Sequence, residues 1–169
     1  IAVPEVASKK LNIVSYQHGT VFSRDEVPSF IEKSAETRLA VARFAGSGSV
    51  VIAPDYIGKG VSGEPDGWLV RECTVQACFD MLIAARAILA DLGVTPDELF
   101  LSGWSQGSFS TLALLKRLEE NGIPVRAAAV ASSPNDIYLC VNRWIHVPSK
   151  RDVDWLVGAA ALLVGAYEH

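Results

Sequence analysis

The residues best equipped for chemistry are Gly103-Trp104-Ser105-Gln106-Gly107. A serine hydroxyl is a weak nucleophile until something positions it and takes its proton. Leu99-Phe100-Leu101 reads as a buried strand leading into this segment, and a helix-like run follows it. Strand, tight turn and helix would leave Ser105 projecting from the tip, with Gly103 and Gly107 avoiding side-chain crowding. The helix N-terminus would offer free backbone N–H groups to a developing negative charge. Taken alone, Gly-x-Ser-x-Gly arises by chance in roughly one chain in twenty of this length, so the flanking strand and helix carry the reading.

The elements around it must hold that turn. Leu11 to Gln17 reads as a strand ended by His18-Gly19-Thr20. Glu26 to Phe44 reads as a helix with Val27, Phe30, Ile31, Leu39 and Ala42 on its inner face and Pro28 in its first turn. Ser49 to Ala53 is an unbroken β-branched run, as expected of a strand covered on both faces. Pro54 to Gly67 is a loop. Thr74 is placed to cap a helix to about Leu92, with Val75, Phe79, Leu82, Ile83 and Leu89 inward. Thr95-Pro96-Asp97 reads as a turn, Ser108 to Asn121 as a helix, and Val125 to Ala131 as another buried strand. Strands alternating with helices predict an α/β protein with a doubly wound, mostly parallel sheet, whose ligands bind at the carboxyl ends of the strands. Ser132 to Val153 reads as irregular. Trp155 to Tyr167, started by Asp152 or Asp154, reads as a helix apolar nearly all round, either a core helix or a lid and acyl-binding wall.

Composition narrows the partners. The chain has 169 residues and a formal charge of -4, with no basic cluster, which argues against nucleic acid. Half the residues are hydrophobic and a fifth are charged, a globular balance. Cys73, Cys78 and Cys140 have no metal-ligand spacing; they read as small buried or half-buried thiols, and the first two could bridge only if one lay outside the helix. The thirteen-residue apolar run at Trp155–Tyr167 is short for a membrane span. The chain opens on Ile1 rather than Met, which reads as a processed or trimmed chain and favours an exported over a cytoplasmic location.

Tyr16-Gln17-His18-Gly19-Thr20, Ala53-Pro54-Asp55-Tyr56-Ile57-Gly58 and Gly103-Trp104-Ser105-Gln106-Gly107, in that order, resemble the α/β-hydrolase family, on its bacterial lipase/esterase branch with secreted-lipase character. The resemblance covers roughly Leu11 to Asp136. It implies Ser105 as nucleophile, the Gln106 N–H as one oxyanion donor and the Thr20 N–H as the other, with the Thr20 hydroxyl a further candidate. It implies carboxylic-ester hydrolysis through an acyl-enzyme, a small-molecule ester or lipid substrate, and no metal or organic cofactor. His18 and Asp55 read as structural rather than catalytic.

In this family the acid and then the histidine follow the serine, normally after two further strands. Downstream candidates are Asp136, Asp152 and Asp154 for the acid, and His146 or His169 for the base; none has a matching context. The sheet therefore reads as incomplete at its C-terminal end, with residues 1–136 a hydrolase core and 137–169 a lid or the start of the remainder. The missing acid and histidine would lie on a second chain or on further residues; the competing reading is a minimal variant with an unusual triad. Two other functions stay in play: a peptidase or other acyl-transfer enzyme on the same fold, and a non-catalytic binding protein of the same shape.

Overall fold

The computed structural model describes residues 1–168. Four parallel strands form the sheet: β1 (Lys10–Gln17), β2 (Val50–Ile52), β3 (Thr95–Trp104) and β4 (Ala127–Ala131), in the order β2-β1-β3-β4. The chain moves from β1 outward to β2, crosses back to β3, and moves outward again to β4. The strand order thus reverses between β1 and β3, and that reversal opens a crevice at their carboxyl ends. Register pairs Gln17 with Gly103, so the residues after each strand emerge side by side.

Alternation along the strands sorts the faces. Leu11, Ile13, Leu99 and Leu101 point to one face, where they pack with Leu82, Leu89, Leu114 and Leu118 of helices α2 (Arg71–Asp91) and α3 (Gln106–Glu120). On the other face Tyr16 meets Phe44 of helix α1 (Ala35–Phe44), ring centroids 6.3 Å apart. Within this core Ser15, Gln17 and Thr111 are buried together, and the Gln17 carboxamide satisfies both hydroxyls at 2.7 and 2.8 Å. Among the described residues α2 is long and apolar enough to cross a membrane by length and composition; here one side of it, Cys78, Leu82, Ala85 and Leu89, is fully buried against the sheet.

Several expected boundaries move. The predicted helix from Glu26 is in fact a single 3-10 turn at Pro28–Phe30 followed by α1 from Ala35. Ser34 breaks the run because its hydroxyl accepts the Thr37 N–H at 3.2 Å and caps α1. The inward residues of α1 are accordingly Thr37 and Ala40, while Leu39 is 71% exposed and Phe30 and Ile31 are also on the surface. Thr74 is not a cap: α2 starts at Arg71, so Thr74 lies in its first turn, buried. Ile83, expected inward, is exposed, and Cys78 and Ala85 take the buried positions. Thr95-Pro96-Asp97 is the start of β3 rather than a turn, with Thr95 opposite Lys10; a proline is tolerated at a strand's first residues.

The C-terminal third differs most. The predicted buried strand at Val125–Ala131 is an exposed edge strand beginning at Ala127, since it has a partner only on its β3 side. Residues expected to be irregular contain helix α4 (Ile137–His146), capped by Asp136 Oδ1 accepting the Leu139 N–H at 2.7 Å. The last helix, α5 (Leu156–Tyr167), starts at neither Asp152 nor Asp154. It is not buried all round: Ala159 is inside, whereas Val157 is 78% exposed. Cys73 and Cys78 both lie within α2, and all three cysteines are free.

Candidate active site

Ser105 stands where β3 becomes α3. Its backbone has φ 54° and ψ -119°, a conformation that costs an L-residue about 1–3 kcal/mol and persists only where the surroundings enforce it. They do so from three sides. The Ser105 N–H donates to Ala131 O at 2.9 Å, tying the turn to β4. The Ser105 carbonyl accepts the N–H groups of Ser108 and Phe109, starting α3. The buried Ser108 hydroxyl reaches Gly103 O at 2.8 Å and accepts the Ala131 N–H at 3.0 Å. The Ser105 side chain makes no capping bond to α3 and is half-exposed.

Close approach explains the two glycines. A Cβ on Gly103 would lie 2.3 Å from Gly107 O and 2.3 Å from Thr111 Oγ1. A Cβ on Gly107 would lie 1.8 Å from Gln17 O and 2.7 Å from His18 O. The first turn of α3 therefore lies directly against the end of β1. The loop after β1 runs beside the turn, with the Trp104 ring packed on Gly19, where an added Cβ would come within 2.6 Å of it.

That loop is held by groups distant in sequence. The Gly19 N–H donates to Glu36 Oε1 at 2.9 Å, and the same oxygen accepts Tyr16 Oη–H at 2.7 Å. Glu36 lies in the first turn of α1, which gives that helix a part in shaping the site. Burial and the Glu36 carboxylate push the Tyr16 phenol well above its usual range, so it stays a donor. Lys59, with a side chain only 5% exposed, donates to Val21 O at 3.0 Å and pairs with Asp66 at 2.9 Å. Thr20 follows Gly19, half-buried, and its hydroxyl accepts the Trp68 indole N–H at 3.1 Å. The Thr20 and Gln106 N–H groups have no acceptor among the described residues.

His18 is part of this scaffold. It is 1% exposed and stacks on Tyr56 at 4.4 Å, and the Tyr56 hydroxyl donates to the His18 carbonyl at 3.0 Å. Nδ1 lies 2.7 Å from the Gly19 carbonyl, and Nε2 faces the Asp55 carbonyl at 3.4 Å. Burial pushes the imidazole pKa below its usual value, outweighing the nearby carbonyls and the carboxylates of Glu36 and Asp55. Burial in the fold thus disfavours the charged form of His18, while the unfolded chain protonates it near pH 6.5. Its contribution to stability is complete above that pH and is lost as pH falls toward the depressed folded value. Urea unfolding at pH 8 and pH 5.5 should show lower stability at the acid end, and His18→Asn should flatten that slope.

Asp55 also has a scaffold role: its carboxylate accepts the N–H and hydroxyl of Ser29. A cavity of about 600 Å³ lies beyond it, at the outer side of β2 near Met81 and Ala2, away from Ser105. The downstream candidates are not brought to Ser105 by any hydrogen bond. Asp136 caps α4; Asp152 pairs with Arg143 and accepts the Ser149 N–H at 2.7 Å, contacts that lower its pKa, Arg143 first. Asp154 is exposed, and His146 is exposed at the end of α4. His169 lies outside the described residues. Among the described residues no cluster of His, Cys, Asp and Glu could hold a metal ion. Glu36 and Trp68 carried no local signal in the sequence; their partners are 17 and 48 positions away.

No family profile and no curated protein matches the sequence. Solved structures do. The proposed hydrolase lpg1103 from Legionella pneumophila is 30% identical, with a TM-score of 0.78, over 94% of this chain and 42% of that one. The ligand-bound rice cell wall degrading esterase LipA from Xanthomonas oryzae is 26% identical, with a TM-score of 0.64, over 73% of this chain and 34% of LipA. The chain has the α/β-hydrolase fold. A hormone-sensitive lipase from a metagenome library shares this fold at 19% identity, with a TM-score of 0.53, over 81% of this chain and 41% of that lipase. The chain spans less than half the length of each of these α/β-hydrolases.

Proposed function

We propose that this α/β-hydrolase chain carries the nucleophile and oxyanion hole of a serine esterase. The observation that carries the reading is Ser105: a non-glycine residue held at positive φ on a strand-to-helix turn, its hydroxyl left out of the helix cap. Ser105 Oγ attacks the ester carbonyl carbon and gives its proton to a histidine base. The carbonyl π pair moves onto oxygen, and the resulting oxyanion accepts the N–H groups of Gln106 and Thr20. Donors already aimed at that position are worth roughly 3 kcal/mol each. Collapse expels the alcohol, which takes the proton back from the base. Water then repeats the sequence on the acyl-Ser105 ester, releasing the acid and the free hydroxyl.

The base and its orienting acid are proposed to lie outside residues 1–168, on another part of the hydrolase or on a second chain; the 42% span of the Legionella protein supports this, as do the other roles taken by His18, Asp136 and Asp152. Residues 1–136 then form the core, and α4 and α5 belong to a cap. A fluorophosphonate tests the assignment. With ester-hydrolysing protein, intact mass and peptide mapping should place one adduct on Ser105. An adduct on another residue, or full ester turnover with Ser105 unmodified, sinks it.

A further inference from the structure

Trp68 lies in the loop entering α2, and the acyl-transfer steps set out above make no use of it. Its ring is 5% exposed and packs with Leu69 and Ala159, with Phe109, Leu162 and Leu163 around them. Leu69 sits at φ 58°, and its carbonyl accepts the Tyr167 hydroxyl at 3.2 Å. Residues of the first turn of α3 and of one side of α5 thus pack against the cluster that contains the indole. Among the described residues, the polar atom of that ring has one hydrogen-bond partner, Nε1–H donating to Thr20 Oγ1 at 3.1 Å.

An indole nitrogen donates and cannot accept, so the Thr20 hydroxyl must be the acceptor in this bond. Its own proton is then left for another partner, and among the described residues Thr20 Oγ1 has no acceptor. A hydroxyl that accepts a hydrogen bond becomes a better donor, because the two bonds polarise each other.

We propose that Trp68 is a positioning residue: it holds the Thr20 hydroxyl as an acceptor on the indole side, so that its proton is directed to the oxyanion and Thr20 supplies two donors, N–H and O–H. This inference rests on the reading of Thr20 as an oxyanion donor. Preorganisation is what makes the arrangement effective, since a freely rotating hydroxyl would lose part of its contribution in being ordered at the transition state. The packing of α5 on Trp68 and Leu69 supplies that rigidity.

The test is a double-mutant cycle read in kcat and KM for a soluble ester. Trp68→Phe keeps an aromatic ring, smaller than the indole, and removes the N–H; Thr20→Val keeps the backbone N–H and the branched shape and removes the hydroxyl. Thr20→Val should lower kcat about 100-fold, and Trp68→Phe about tenfold, each with KM little changed. Thr20→Ser should stay close to wild type. The double variant should match Thr20→Val alone, because Trp68 acts only through that hydroxyl. A purely packing role predicts instead that Trp68→Phe lowers kcat by the same factor with or without the hydroxyl; that result, or an unchanged kcat in Trp68→Phe, overturns the proposal. If the wild-type protein that also carries the proposed histidine and acid neither turns over ester nor takes phosphonate at Ser105, the hydrolase reading fails, and the proposal about Trp68 with it.

Discussion

Ser105→Gly is expected to abolish ester hydrolysis and to raise the melting temperature by about 2–4 °C. Both effects come from one residue. Removing the nucleophile of a serine hydrolase lowers kcat by about 10⁴-fold or more, leaving only what binding and the oxyanion donors provide. The gain in stability comes from the backbone. At φ 54° and ψ -119°, a side chain at residue 105 costs about 1–3 kcal/mol, and glycine removes that cost. Glycine loses more freedom on folding, which gives back about 0.5–1 kcal/mol. A net gain near 1 kcal/mol remains, since the Ser105 hydroxyl caps nothing in α3 and its loss leaves the helix intact. Ser105→Ala is the control: it should be equally inactive, with a melting temperature near wild type, because alanine keeps the Cβ. Circular-dichroism melts of the three proteins, beside ester assays, separate the two effects. If the glycine variant melts no higher than the alanine variant, the turn does not store the strain assigned to it.

The turn was legible in the sequence because its determinants are local. Gly103, Ser105 and Gly107 fall within five consecutive residues, and the apolar run of β3 adjoins them. The fully buried β2 showed itself for the same reason, as the β-branched Val50-Val51-Ile52. What did not show was set by partners far along the chain. Glu36 accepts two hydrogen bonds, from Gly19 and Tyr16, that hold the loop before Thr20, and both partners lie 17 or more positions away. Trp68 stands 48 positions from Thr20, and only the fold brings the two together. Helix limits moved where a side chain competes for the backbone: Ser34 and Asp136 each cap a helix by accepting an N–H three residues on. Strand β4 reads as buried because Ala and Val fill it, but small side chains on an edge strand stay accessible.

Gly107→Ala should be the most damaging single-methyl change near the site, costing about 3 kcal/mol or leaving the protein unfolded. The added Cβ would fall 1.8 Å from Gln17 O, 2.5 Å from Gln17 C and 2.7 Å from His18 O. All three are backbone atoms, so no rotamer change relieves the clash. They cannot retreat easily either: β1 is paired on both sides, with Gln17 registered against Gly103 of the strand that carries the turn. The buried Gln17 carboxamide is further held by Ser15 and Thr111. Relief therefore requires the start of α3 to shift away from β1. Such a shift separates the Gln106 N–H, on α3, from the Thr20 N–H, in the loop after β1, so any folded fraction should also lose most of its ester turnover. Gly165→Ala provides the comparison. Gly165 lies inside α5 with nothing within 4 Å of an added Cβ, and there the same methyl should be neutral or stabilise by up to about 1 kcal/mol. Thermal melts and kcat for both variants decide the matter. A Gly107→Ala protein with wild-type stability and turnover would mean that α3 does not abut β1 as closely as the turn geometry requires, and the shared construction of the proposed nucleophile and proposed oxyanion hole would have to be given up.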